Sequence, residues 1–138
     1  MTLDSRALLR KDVMQAEGLR LKPYKDSVGV LTIGYGRNLE RGISALEAEV
    51  LLDHDLADAE LACRKAFLWF PLLSDARQRV VVEMCFNLGL TRLKGFTLTL
   101  DALAAGDYAR AAAQMLTSRW AAQVGARAHR LAEAMRAG

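Results

Sequence analysis

The sequence is poor in the residues that metal sites and disulfide-linked folds require. Its 138 residues include only two cysteines, two histidines and two prolines. Cys63 and Cys85 lie far apart, and neither belongs to a Cys-x-x-Cys motif or a Cys/His cluster. We therefore expect two buried free thiols and no structural metal. We also expect no cofactor.

Long apolar runs are also missing. The first residues, MTLDSRALLRKDVM, contain no apolar stretch long enough for a signal peptide, and nothing downstream is long enough for a membrane span. We therefore expect synthesis in the cytoplasm without a signal peptide and no stable insertion into a membrane. A target outside the cytoplasm would require another protein to open the way.

The composition that remains is that of one compact globular domain, with 52% hydrophobic and 25% charged residues. The net charge of +3 is uneven: residues 1–69 carry ten basic and eleven acidic groups, whereas residues 70–138 carry nine and five. A basic C-terminal half suits an anionic polymer such as nucleic acid, a membrane surface or bacterial cell wall. A solvated helix face with spare arginines explains the charge equally well.

The first part of the chain predicts a helix followed by a small β element. Apolar residues recur at helical spacing before Gly18, with Asp4 or Ser5 placed to cap the helix; they are Leu8, Leu9, Val13 and Ala16. From Tyr24 to Gly36 the β-branched and glycine-rich pattern predicts a short hairpin or small sheet.

The rest of the chain predicts helices. Ser44 and Glu47 form a capping-box pattern that opens a long helix to about Ala66, and a buried helix is expected between Ser74 and Gly89. Shorter helices follow, with stops at glycines 95, 106 and 125 and a cap at Asp107. The predicted fold class is α+β, mainly α: a small β lobe over about residues 1–43, and a long helix and helical lobe over about 44–138.

Two carboxylates flank the predicted β element, in the segment E-G-L-R-L-K-P-Y-K-D-S-V-G-V-L-T-I-G-Y-G. Glycoside hydrolysis needs one carboxyl to protonate the leaving oxygen and a second, ionised one on the other side of the sugar. The helix end disfavours an ionised Glu17, whereas Asp26 lies in a turn where it stays ionised. The alternative is a helix-end Glu and a turn Asp that are simply solvated.

This segment resembles the active-site signature of the T4-type phage lysozymes, the endolysin family of muramidases. The match keeps Glu17, Asp26 and Thr32 at intervals of nine and six residues. Two later segments, FNLGLTRLKGF (86–96) and SRWAAQVGARAHR (118–130), resemble the family's helical-lobe signatures. The three segments together span most of the chain.

The resemblance implies a lysozyme-like fold and a muramidase that cleaves the β-1,4 bond between N-acetylmuramic acid and N-acetylglucosamine. Glu17 would be the general acid, and Asp26 with Thr32 would position and activate water, giving inversion. The partner would be peptidoglycan rather than nucleic acid. The enzyme would be a monomer that lyses host bacteria from the periplasm and depends on a holin for access to the wall.

The resemblance also implies a groove between the lobes and a basic residue beside the general acid. The implied substrate-binding positions are Asn38, Phe86, Asn87, Thr99 and Gln114. Arg127 matches an arginine that in relatives lies beside the catalytic glutamate. Such an arginine would favour the ionised carboxylate and oppose the helix-end effect, and the sequence leaves open which effect is stronger.

Two departures from the family pattern keep a second function open. Arg37 stands where the T4-type subgroup usually has histidine, and only about seven residues, 37–43, separate Gly36 from the long helix. The β lobe is therefore expected to be minimal. The alternative function is a lysozyme-like module that binds peptidoglycan without cleaving it; a helical nucleic-acid binder is a weaker third. Trp69 and Trp120 lie in apolar helical contexts, which favours core packing over sugar stacking.

Overall fold

The computed structural model describes all 138 residues and divides into two compact units, residues 1–49 and 50–138. We call them the N-terminal unit and the helical unit. A 22-residue helix, Ala45–Ala66, begins in the first unit and continues into the second. The architecture is α+β and mainly helical, which confirms the predicted fold class.

The N-terminal unit opens with helix α1, Leu3–Glu17. Its cap is Thr2, whose hydroxyl accepts a hydrogen bond from the Ser5 N–H at 3.1 Å. The predicted cap at Asp4 or Ser5 is therefore wrong, because the extended backbone that a cap requires occurs at Thr2. The helix ends at Gly18, as predicted, where φ is +71°.

A three-stranded antiparallel sheet follows α1. Its strands are β1, Arg20–Lys25; β2, Leu31–Gly34; and β3, Arg37–Asn38, in that spatial order. The predicted small sheet is confirmed, but it begins at Arg20 rather than Tyr24. The pairing register shifts between Arg20 and Tyr24, the stretch that contains Pro23. Proline donates no ladder hydrogen bond and is tolerated at such irregular positions, so this part of the strand lacks a regular pattern.

The long helix, α2, Ala45–Ala66, starts at the predicted capping box. The Ser44 N–H donates to Glu47 Oε2 at 2.7 Å, and the Glu47 N–H donates to Ser44 Oγ at 3.2 Å. Each residue thereby satisfies a backbone donor of the other. The capping box therefore fixes the first turn of α2. Only six residues separate the end of β3 from the start of this helix.

The helical unit contains six further helices and the hydrophobic core. They are α3, Asp75–Leu88; α4, Leu90–Lys94; α5, Thr97–Ala104; α6, Tyr108–Leu116; α7, Arg119–Val124; and α8, Ala126–Ala137. Helix α8 packs against α3, α6 and α7. Five residues of α3 are buried, which confirms its predicted central position: Val80, Val81, Met84, Cys85 and Leu88.

Several side-chain predictions in this unit are confirmed. Cys63 and Cys85 are buried and free, and burial, followed by the neighbouring Cys85, raises the pKa of the Cys63 thiol to about 12. Trp120 is only 3% exposed and belongs to the core, and Trp69 packs against the core and stacks on Phe67 at 4.8 Å. The Asp107 carboxylate caps α6.

No helix of the structure has both the length and the apolar character of a membrane span.

Candidate active site

The candidate site in the N-terminal unit begins with Glu17, the last residue of α1. Its side chain lies against the backbone of Gly36, in the turn between β2 and β3. A Cβ atom at Gly36 would lie 2.8 Å from Glu17 Oε2 and 3.1 Å from its Cδ. Gly36 also has φ +76°, a conformation that other residues rarely adopt. The position therefore requires glycine both for its backbone conformation and for its contact with the carboxylate.

Asp26 follows β1 directly and organises the turn that leads into β2. Its Oδ1 accepts hydrogen bonds from the backbone N–H groups of Val28, at 2.9 Å, and Val30, at 2.8 Å. The Asp26 N–H also donates to the Val30 carbonyl at 2.9 Å, which closes the same turn. Both side-chain hydrogen bonds go to Oδ1, and Oδ2 receives none. One carboxylate oxygen thus fixes the orientation of the group and leaves the other available.

Thr32 lies in the central strand, β2, and is 3% exposed. Its hydroxyl donates to the Val30 carbonyl at 2.9 Å, so its oxygen lone pairs remain able to accept a hydrogen bond. Tyr24 and Asn38 are the residues directly opposite Thr32 on β1 and β3. Residues opposite one another share a face of the sheet, and Asp26, two residues after Tyr24, continues that face. The register of the hairpin therefore favours one face of the sheet for both Asp26 and Thr32.

The two residues of β3 stabilise the connection to α2. The Asn38 side-chain oxygen accepts a hydrogen bond from the Glu40 N–H at 2.8 Å and so caps a short 3-10 turn, Leu39–Arg41. The NH2 group of Asn38 takes no part in this cap. The Arg37 guanidinium forms an ion pair with Glu47. Hydrogen bonds from the Ser44 backbone and side chain, followed by Arg37, hold the pKa of the Glu47 carboxyl below its usual range. Arg37 thus has a carboxylate partner that the sequence did not predict.

In the helical unit, the structure brings together two of the four predicted substrate-binding residues. Thr99 and Gln114 line one cavity of about 410 Å³. Phe86 is 42% exposed and lines a different cavity, of about 570 Å³. Asn87 accepts a hydrogen bond at its Oδ1 from the Trp120 indole N–H at 2.7 Å. The buried tryptophan therefore orients the Asn87 amide.

Arg127 is held within the helical unit by an acid that sequence analysis missed. Its Nε donates to Glu83 Oε1 at 3.0 Å, and Arg130 donates to the same oxygen at 2.6 Å. Burial alone would raise the pKa of Glu83, but the hydrogen bonds and charges of Arg130 and Arg127 together lower it below its usual range. The implied position of Arg127 beside Glu17 stays a prediction, since the two residues belong to different units.

Comparison with known proteins places these features in a family context. Residues 14–136 match the model of the phage lysozyme family. An endolysin of Acyrthosiphon pisum secondary endosymbiont phage 1 is 34% identical over 108 residues, covering 75% of this chain and 72% of the relative. The SAR-endolysin of Escherichia phage Mu is 34% identical over 117 residues, covering 82% and 66%. The pre-baseplate central spike protein of Enterobacteria phage T4 is 28% identical over 153 residues, covering 90% of this chain but only 26% of the spike protein.

The paired Glu83 predicts a pH-dependent contribution to stability. Because its pKa is lowered on folding, the contribution is present above the ordinary glutamate pKa and is lost as the pH falls through the lowered value. We expect Glu83→Gln to lower the free energy of unfolding at pH 7 by about 1 kcal/mol, the size expected for a partly exposed ion pair. In urea unfolding, the difference in the free energy of unfolding between the variant and the wild type should be smaller at pH 3 than at pH 7. Glu60→Gln, which removes an exposed pair with Arg64, is the control and should show a smaller effect. A gap of equal size at pH 7 and pH 3 would contradict the assignment.

Proposed function

Since the chain belongs to the phage lysozyme family and is a lysozyme, a glycoside hydrolase of peptidoglycan, we propose that Glu17, Asp26 and Thr32 carry its reaction. The bond cleaved is the β-1,4 linkage between N-acetylmuramic acid and N-acetylglucosamine. The observation that supports this assignment is the hairpin geometry. Asp26 uses only Oδ1 for its turn hydrogen bonds, and it follows the strand whose Tyr24 lies opposite Thr32.

Glu17 acts as the general acid. In its protonated form it donates a proton to the glycosidic oxygen, and the bond between that oxygen and the anomeric carbon breaks. The contact with Gly36 limits where the Glu17 carboxyl can lie, because the glycine backbone offers space that any side chain would fill. A fixed position matters, since proton transfer requires the donor to lie within hydrogen-bond reach of the leaving oxygen.

Asp26 and Thr32 prepare the water that attacks. One water proton is donated to Asp26 Oδ2 and the other to Thr32 Oγ1, whose own proton is already donated to the Val30 carbonyl. The water then has a lone pair directed at the anomeric carbon. As the new C–O bond forms, the proton held by Asp26 transfers to its carboxylate. Attack opposite the departing oxygen inverts the anomeric centre, and the two carboxyls should be roughly 6.5–9.5 Å apart to admit the water.

The biological setting follows from the same assignment. Two of the relatives are named endolysins of phages, which supports a role in lysis of bacterial host cells. We therefore assign this chain to the cell wall in the periplasm, acting as a monomer that reaches its substrate when a holin opens the inner membrane. In this assignment five residues contact the substrate: Asn38 in the N-terminal unit, and Phe86, Asn87, Thr99 and Gln114 in the helical unit.

Glu17→Gln tests the general acid. The amide cannot supply the proton, so release of reducing ends from a Gram-negative cell-wall preparation should fall by about a hundredfold or more. The new reducing ends made by the wild type should be muramic acid. Glu40→Gln, an exposed change in the same unit, is the control and should retain activity. A fully active Glu17→Gln variant would refute the assignment. A wild type that sediments with wall material but releases no reducing sugar would instead identify a non-catalytic binding module.

Gly36→Ala tests the contact that positions Glu17. The added methyl group would lie 2.8 Å from Oε2, so we expect the carboxyl to be displaced and kcat to fall by about tenfold or more. Gly42→Ala is the matched control, because Gly42 also has positive φ but has no atom within 4 Å of the added carbon. Both variants should lose about 1 kcal/mol of stability from backbone strain. Equal activity of the two variants would show that the Gly36 contact does not position the acid.

A further inference from the structure

The cavity that contains Thr99 and Gln114 has the composition of a binding site rather than of a packing defect. It is an open cavity lined by the ends of α3 and α6, by α4, by the first turn of α5 and by α7. Leu88, Phe96 and Trp120 form its apolar wall, with the two aromatic rings edge to face at 6.1 Å. The remaining polar lining is mostly uncharged: Thr97, Thr99, Gln114, Thr117, Ser118 and Gln123. An apolar surface with a few converging polar groups is typical of ligand sites.

The charge of this cavity is entirely positive. Arg92, at the end of α4, and Arg119, at the start of α7, both line it, and no acidic residue does. Neither arginine forms an ion pair within the helical unit, whereas Arg64, Arg127 and Arg130 are each paired with a carboxylate there. Both arginines are exposed, and an anionic ligand in the cavity would give each of them an oppositely charged partner.

We propose that Arg92 and Arg119 bind carboxylates of the peptides attached to muramic acid, and that they make the enzyme select walls in which those carboxylates are free. This inference rests on the proposed function. The lactyl carboxyl of muramic acid is consumed in the amide bond to the peptide, so the carboxylates of peptidoglycan belong to the peptide. Guanidinium groups match carboxylates in shape and charge and bind them with two parallel hydrogen bonds. The hydroxyl and amide groups around the two arginines suit the peptide's amide bonds.

Amidation of the peptide carboxylates is the wall modification that would weaken this binding. Amidation removes the negative charge and replaces one acceptor oxygen with a donor NH2 group, which a guanidinium cannot bind. Each arginine would then keep only a neutral carbonyl oxygen as acceptor and lose the charged, two-point contact. We therefore expect substrate discrimination to appear mainly in KM, because the cavity contacts a part of the substrate away from the bond that breaks.

The test compares native peptidoglycan with the same preparation after chemical amidation of its carboxylates. The wild type should cleave the native wall with kcat/KM at least about tenfold higher, the effect of one lost charge-assisted hydrogen bond. In the double variant Arg92→Gln/Arg119→Gln, kcat/KM on native wall should fall to the value for amidated wall. Its kcat/KM on amidated wall should stay that of the wild type, so the preference disappears. The variant Arg92→Lys/Arg119→Lys, which keeps the charge, should recover part of the preference. Arg110→Gln, a helical-unit change outside the cavity, should behave as wild type.

Each outcome decides one of the two proposals. Equal activity of the wild type on both walls, or an equal loss on both walls in the glutamine variant, would overturn the role of the arginines. Absence of reducing-end release from either wall would overturn the proposed function instead. In that case co-sedimentation of the wild type with native and amidated walls still tests the arginines: stronger binding to native wall supports them, and equal binding refutes them.

Discussion

The contact between the Glu17 carboxyl and the Gly36 backbone is the constraint on which the candidate site depends. It requires α1 to end at Glu17, which Gly18 ensures through its positive φ, and it requires the turn between β2 and β3 to be built on a second glycine with positive φ. The same two strands carry Thr32 and Asn38, so the turn that receives the carboxyl also fixes the sheet. A single glycine therefore joins α1, which carries Glu17, to the sheet, which carries Thr32.

Local polar contacts, rather than a hydrophobic core, stabilise the N-terminal unit and its small sheet. Thr32 is the only residue of the N-terminal unit that is buried, so burial of apolar surface contributes little to its shape. Asp26 instead ties down the first turn through Oδ1, Asn38 starts the 3-10 turn, and Arg37 binds the same glutamate that caps α2. In the helical unit, Arg127 and Arg130 share Glu83, whereas Arg92 and Arg119 line a cavity without acids. Two of the arginines that make the C-terminal half basic therefore lie at one cavity.

The features that could be predicted from the sequence are those with local causes. The capping box at Ser44, the cap at Asp107 and the helix end at Gly18 involve residues within four positions of each other, and all three are confirmed. The start of β1 was missed because the irregular register near Pro23 hides any strand pattern. The Glu83–Arg127 pair joins residues 44 positions apart, and the Arg92–Arg119 cavity depends on how α4 and α7 pack. No local pattern encodes such contacts. The catalytic roles of Glu17, Asp26 and Thr32 came from family resemblance and stay a prediction.

The central claim is that Asp26 and Thr32 hold a water molecule that attacks the anomeric carbon directly. The most direct test is the configuration of the product at the moment it forms, observed by proton NMR on a soluble peptidoglycan fragment before mutarotation. Because the substrate bond is β, single displacement by water predicts that the first reducing end is the α anomer. An initial β anomer would require a covalent intermediate on the enzyme, and it would contradict the assignment of Asp26 and Thr32 as the groups that hold the attacking water.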